Sequence, residues 1–204
     1  MENIVLVGFG GHARSVADSI ENGGKFHIVG YTDLQESFPN NGYKYLGTDD
    51  KLQEIYDSGT HNAVITLGQI GKADSRRRLY TLLKQIGYEL PAIIDPSAIL
   101  ASNVSIGEGT FIGKNVVINS NSLIGKMCII NTGVLCEHDN TIGDFCHIAV
   151  RTVCCGTVKI GNNCFIGANS TIIQEITIGE DVVIGAASTI LHNVNKGEKK
   201  YGIV

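Results

Sequence analysis

From Ile94 to Ile190 the chain repeats every six residues, and that period decides most of what it can fold into. The series runs Ile94, Leu100, Ile106, Ile112 and onward, through Cys136 and Cys154, to Ile190. All seventeen positions are apolar and fourteen are isoleucine. Eight are followed by glycine, as in Ile106-Gly107 and Ile184-Gly185. No register slip interrupts the series, and a fixed period takes precedence over local readings. Six residues make one flat side and a corner, so three sides close a triangular coil. The spacing predicts a parallel β-helix of about five coils between Ile94 and Ile190, stacked about 4.8 Å apart like any paired strands. The repeated isoleucine points inward. The residue two places before it is small or β-branched (Val104, Thr110, Val116, Ser122, Val158, Ser170), as a crowded corner requires. Stacking buries the coils on one another, which is how solenoids are stabilised.

The first ninety residues follow a different grammar. Ile4–Val7 reads as a buried parallel strand, 12–22 as a helix and 26–32 as a second strand. A helix over 49–56, a strand over 63–67 and a helix over 71–86 follow. This alternation implies a parallel sheet carrying helices. The expected organisation is a small α/β domain, residues 1–90, followed by the β-helix, residues 91–204. Three or four strands amount to half of a Rossmann-type dinucleotide domain, so the first domain is half-Rossmann-like.

Gly8-Phe9-Gly10-Gly11-His12-Ala13 joins the first strand to the first helix, and Asp33 lies twenty residues beyond Ala13. The pattern fits G-x-G-x-x-G/A, a tight turn feeding a helix N-terminus that receives phosphate. The domain is too short for the half that would hold nicotinamide. A nucleotide sugar therefore suits the loop better than NAD, with His12 turned toward the sugar and Asp33 toward a ribose or sugar hydroxyl.

Bulk properties narrow the function. A net charge of −4 over 204 residues argues against nucleic acid or an anionic membrane surface. No apolar run reaches about 18 residues, so no membrane span is expected. Met1-Glu2-Asn3 leads straight into the first strand, without an export signal. Six cysteines in that context imply reduced thiols and a cytoplasmic location. Cys128, Cys146 and Cys164 stack at intervals of 18, and Cys136 and Cys154 occupy inward positions. They read as core filler, since buried cysteine behaves as a small hydrophobe. With no C-x-x-C pair, no metal is expected.

Chemistry is most plausible where polar residues break the repeat, in Asn131 to Gly156. His138 lies two places after an inward position, between Glu137 and Asp139. His147 immediately precedes inward Ile148. Both are expected on the outside or at corners, on different sides of one chain. Imidazole is the natural general base near neutrality. An adjacent carboxylate, Asp139 or Glu137, would fix its tautomer. Gly156, one coil beyond His138, leaves room for a ligand and offers a backbone N–H to an oxyanion. Arg151 reads as a solvated corner residue or as an anion contact.

The stretches "GFGGHARSV", "YTD", "TLGQ", "EHDNTIGDFCHIAV" and "NCFIGANSTI" together resemble the NeuD/PglD-type bacterial sugar acyltransferases. The resemblance spans the whole chain. It implies a left-handed β-helix and a homotrimer with active sites at subunit interfaces. It implies acetyl-CoA as cosubstrate and a nucleotide-linked amino sugar as acceptor, in surface glycan or glycoprotein biosynthesis. It further implies that His138 is the base and Asp139 its acidic neighbour. His147, Gly156, Ala168 and Ala186 would contact the coenzyme. Gly10, Gly11, His12, Thr32, Asp33 and Gly68 would line the nucleotide-sugar pocket. Thr32 replaces an acidic residue common in the family. The chain ends at "KKYGIV" where a Pro-Ala-Lys tail is common, so adenine-end contacts are expected to differ. O-acetylation of a sialic acid or other sugar hydroxyl is the alternative chemistry. A zinc enzyme of carbonic-anhydrase type would need a third histidine in register. A non-enzymatic trimeric binding protein is the remaining class.

Overall fold

A computed structural model describes every residue from Met1 to Val204. The chain divides into two compact units, Met1–Gly68 with Asp74–Ile93, and Gln69–Ala73 with Ile94–Val204.

In the first unit, β1 (Glu2–Val7) is the central strand. β2 (Phe26–Thr32) and β3 (Asn62–Ile65) pair with it in parallel, one on each side. Ile4 to Val7 is wholly buried, as the centre of a helix-covered parallel sheet must be. Because β2 and β3 lie on opposite sides of β1, winding reverses there. The carboxyl end of β1 is the position at which open α/β sheets take ligands. Helix α1 (Gly11–Gly23) buries the stripe Ala13, Val16, Ala17 and Ile20. Its end is fixed by the Gly24 N–H, which donates to the carbonyls of Ile20 and Glu21. The turn from β1 into α1 depends on Gly8. Its φ is +92°, and a Cβ there would sit 3.0 Å from Leu67 Cγ.

Helix α2 (Leu52–Asp57) follows one 3₁₀ turn at Asp49–Lys51. β3 stops two residues before the predicted end, although the Thr66 N–H still reaches the Val7 carbonyl at 2.9 Å. Helix α3 (Asp74–Ile86) begins three residues later than the predicted Gly71. The intervening segment is engaged within the second unit instead. Gln69 Nε2 donates to the Phe145 carbonyl at 3.0 Å, and the Ala73 N–H donates to Asn163 Oδ1 at 3.1 Å.

The second unit is a parallel β-helix of about six turns. Its strands are two residues long and form three sheets of seven, six and five strands. Residues 18 apart pair: Ile130 with Ile148, Ile148 with Ile166, Cys136 with Cys154. The inward residues from Ile112 to Ile190 are buried in one continuous core. Ile94 departs from the expectation. It is 40% exposed, because the first coil has no coil beyond it to cover its end. The other end adds a rung the period does not show. Lys199–Lys200 pairs with Val183–Ile184 at a spacing of 16, two residues short of the repeat.

Corners are built from left-handed backbone. Every sixth residue from Gly109 to Ala187 has a positive φ, between +53° and +69°. Only Gly109 and Gly133 are glycines in that series; Asn115, Asn121, Asp139, Asn163, Asn169 and Asp181 are the types that tolerate the conformation best. One corner carries a column of glycines at 107, 125, 143, 161 and 179, where a Cβ would lie 2.5–2.8 Å from atoms of the next coil. The thiols of Cys128, Cys146 and Cys164 donate to the carbonyls of Gly143, Gly161 and Gly179, each at 3.0 Å. Hydrogen bonding to Cys128 and Cys164, then burial, pushes the Cys146 thiol up, and Cys136 does the same for Cys154. These thiols are packing elements.

Candidate active site

His138 and Asp139 occupy an outer corner between the strands Leu135–Cys136 and Thr141–Ile142. Their backbone is tied to the coils on either side. The His138 carbonyl accepts from Thr157, and the Asp139 N–H donates to Ser120, both at 2.9 Å. The side chains face outward, and His138 is 58% exposed. His138 Nδ1 lies 2.7 Å from Asp139 Oδ2. A carboxylate only accepts, so Nδ1 carries the proton and the Nε2 lone pair is left to act as a base. Of the two acidic neighbours considered, Asp139 takes this place. Glu137 instead receives Asn119 Nδ2 at 3.0 Å. The bond to His138, followed by one from Asn121, holds the Asp139 carboxyl below its ordinary value. Asp139 therefore stays ionised throughout the neutral range.

Gly156 differs from the expectation of space reserved for a ligand. A Cβ at 156 would lie 2.8 Å from His138 Cε1 and 2.9 Å from Nε2. The missing side chain makes room for the imidazole itself. Any residue other than glycine would push the ring off the corner.

His147 is also placed differently. Its side chain leaves the β-helix as expected but is only 9% exposed, because Gln69 covers it. Nδ1 donates to the Gln69 carbonyl at 2.5 Å. Nε2 then accepts from Asn131 Nδ2 at 3.3 Å. The orientation of that amide is set in turn, since Asn131 Oδ1 receives the Thr132 N–H at 2.8 Å. Phe165 packs edge-on against the ring at 5.3 Å. His147 is thus a neutral, doubly bonded anchor for the segment Gln69–Ala73. Gln69 is absent from the sequence-based set, and no local pattern links it to a histidine 78 positions away.

Ala168 is half-buried and Ala186 exposed. The Ala168 carbonyl accepts from Ala187 at 2.8 Å, so it serves coil stacking. Arg151 is an exposed corner residue at φ +57°. A cavity of about 560 Å³ lies beside the outer residues Val183 and Lys199, with Lys72, Asn163 and Asp181 also lining it. None of the residues assigned from the sequence lines it. No group of three or more His, Cys, Asp or Glu side chains is placed to hold a metal ion, and no helix is long and apolar enough to cross a membrane.

In the α/β unit, Gly10 caps α1 and Gly11 opens it. A Cβ on either would meet nothing within 4 Å. Internal packing therefore does not require glycine at these positions; an approaching ligand would. His12 lies alongside, its Cβ 3.9 Å from the position a Cβ would take on Gly68. Two residues assigned to the pocket have other work. Thr32 is fully buried and its hydroxyl donates to Asp49 Oδ1 at 3.2 Å. Asp33 receives the Phe9 N–H on Oδ2 and the Leu34 N–H on Oδ1, both at 2.7 Å. It clamps the glycine turn to the end of β2. A cavity of about 150 Å³ opens here at the strand ends, lined by Gly8, Asp33, Leu34, Asp49, Leu67 and Arg78 among others.

The comparisons agree with this division. Residues 3–83 match the family model described as PglD N-terminal domain, and residues 157–192 match bacterial transferase hexapeptide (six repeats). Among solved structures, perosamine N-acetyltransferase from Caulobacter crescentus is similar over 99% of this chain and 94% of its own. It has 28% identity and a TM-score of 0.93, and was solved as a histidine-to-asparagine variant in complex with CoA and GDP-perosamine. The chain carries a PglD N-terminal domain followed by transferase hexapeptide repeats, the arrangement of the NeuD/PglD-type sugar acyltransferases it resembles. The chain is also similar to the acetyltransferase domain of PglB from Neisseria gonorrhoeae, with 25% identity, a TM-score of 0.92 and coverage of 99% and 97%. A further structure of that domain contains acetyl coenzyme A; it has 25% identity, a TM-score of 0.89 and coverage of 98% and 96%. No curated protein sequence matches the chain.

Proposed function

We propose that this acyltransferase moves the acetyl group of acetyl-CoA onto the amine of a nucleotide-linked amino sugar. The observation that carries the proposal is the 2.7 Å contact between His138 Nδ1 and Asp139, which leaves Nε2 outward as a base. Similarity to enzymes whose structures contain GDP-perosamine, CoA or acetyl coenzyme A supports the choice of substrates. The two open glycines at the α1 N-terminus support a phosphate-bearing acceptor.

His138 Nε2 takes a proton from the acceptor amine as its nitrogen attacks the thioester carbonyl. Asp139 holds the imidazole tautomer and offsets the positive charge the ring gains. The Gly156 N–H, beside the ring, is the candidate donor to the oxyanion of the tetrahedral intermediate. Collapse breaks the carbon–sulfur bond, releasing coenzyme A thiolate and the N-acetyl sugar. His147, Ala168 and Ala186 form the coenzyme side of the site. In this reading Ala168 and Ala186 contribute through their backbones and His147 through the segment it anchors. Within the α/β unit, Gly10, Gly11, His12, Asp33 and Gly68 are the residues that take the nucleotide. The working form is a homotrimer in the cytoplasm, with each site completed by a neighbouring subunit.

The test is thiol release from acetyl-CoA in the presence of UDP- and GDP-linked amino sugars, with free sialic acids in parallel. Wild-type protein turns over an amino sugar. His138→Ala lowers kcat by at least about a hundredfold, the low end of what a general base contributes. Near-full activity in His138→Ala, or turnover of sialic acids alone, would sink the proposal.

A further inference from the structure

The base stands at the end of a side-chain ladder that runs along one edge of the β-helix. Asn103, Asn121 and Asp139 are spaced by 18 residues, so they occupy the same corner of three successive coils. Asn121 and Asp139 both adopt the left-handed conformation, at φ +60° and +61°. Asn103 Oδ1 receives the Asn121 N–H at 3.2 Å, and Asn103 Nδ2 donates to Asn121 Oδ1. With its oxygen claimed, the Asn121 amide must point its NH₂ the other way. There Nδ2 donates to Asp139 Oδ1 at 3.1 Å. Asp139 then has one oxygen held by Asn121 and turns the other to His138 Nδ1. Every hydrogen bond in the row constrains the next one toward the imidazole.

We propose that Asn121, one coil away from the imidazole, is a positioning residue for the acetyl-transfer base. It fixes the Asp139 carboxylate, and through it the His138 tautomer, with Asn103 holding its amide in the right sense. The inference rests on the reading of His138 as the base. Asp139 is 47% exposed, and its carboxylate is held by the hydrogen bonds to Asn121 and His138. Without Asn121, its carboxylate is free to rotate toward water. The imidazole then exchanges the Nδ1–H form for Nε2–H, which has no lone pair at the reacting nitrogen. Ser120, Gly156 and Thr157, which flank the pair from the adjacent coils, supply no competing charge, and the Glu137 carboxylate is bound to Asn119.

Two substitutions suit the left-handed backbone and so spare the fold. Asn121→Gly deletes the amide. Asn121→Asp keeps its shape and replaces the donor with an acceptor. Asn115→Gly, at another left-handed corner, is the control for backbone effects alone. Both Asn121 variants are expected to lower kcat by about tenfold or more with little change in the KM for acetyl-CoA, as loss of alignment does. Asn115→Gly stays at the wild-type rate. Nitrogen-15 NMR of the His138 side chain, without substrate, should show the Nδ1–H tautomer in wild-type protein and a shift toward Nε2–H in Asn121→Gly. An unchanged tautomer in Asn121→Gly overturns the inference whatever the reaction is. So does wild-type kcat in both Asn121 variants when His138→Ala is inactive. Full activity in His138→Ala instead refutes the base assignment, and the NMR result still decides whether Asn121 positions the ring.

Discussion

A glycine is informative at the residue scale when one asks what its absent Cβ would touch. At Gly156 the answer is an imidazole, and at Gly10 and Gly11 it is empty space. The two cases predict opposite behaviour. Gly11→Ala should leave the melting temperature unchanged or slightly raised, since Ala has the better helix propensity and nothing obstructs it. The same change should weaken nucleotide-sugar binding measured by calorimetry by about tenfold, because a methyl now occupies the approach to the helix N-terminus. Unaltered affinity would show that the ligand does not approach these glycines. The sequence exposes His138 and Asp139 because they are adjacent and break a strict repeat. It hides the roles of Thr32, Asp33 and His147. Each is decided by a partner distant in sequence: Asp49 for Thr32, the Phe9 amide for Asp33, and the Gln69 carbonyl for His147. The Asn103–Asn121–Asp139 row is an intermediate case. Its spacing of 18 is visible in the sequence, but the direction of its hydrogen bonds is a matter of geometry.

At the scale of the elements, two rules govern the coils. An apolar side chain must point inward every sixth residue, and the backbone must turn left-handed every sixth residue. The first is easily read from isoleucine. The second is visible only as a loose preference for Asn and Asp, which is why Met127, Phe145 and Arg151 at corners give no sequence signal. The glycine column is a third constraint, imposed by close approach of coils. Gly161→Ala would bring a Cβ to 2.7 Å from the Glu180 nitrogen. Its φ is not left-handed, so the cost is one of overpacking, about 1–3 kcal/mol. Urea denaturation should show that loss. An alanine at Gly197, where a Cβ meets nothing within 4 Å but φ is +77°, should instead cost only the backbone strain. The departures from the repeat arise where these rules relax. The last coil is two residues short, so a strict six-residue count runs past it.

At the scale of the whole molecule, the change of grammar near residue 90 is plain in the sequence. The grouping of Gln69–Ala73 with the β-helix is not. It depends on single hydrogen bonds to residues 76, 78 and 90 positions away, which carry no periodic signature. The proposed trimer belongs to this scale too. Sedimentation equilibrium should give three times the 21.8 kDa chain mass at micromolar concentration. A monomer that turns over at full rate would remove the need for a neighbouring subunit at the site.

The unbroken succession of corners from Gly109 to Ala187 makes the β-helix a counting device. A gene that gained or lost eighteen codons in that stretch would return every later side chain to its own face, lengthening or shortening the prism by one coil. Any gain or loss that is not a multiple of six would put polar residues into the core. A gain of six would preserve the core but carry all later residues to a different side. Length is therefore open to evolution in whole-coil steps, while the edge on which a given corner stands is inherited unchanged.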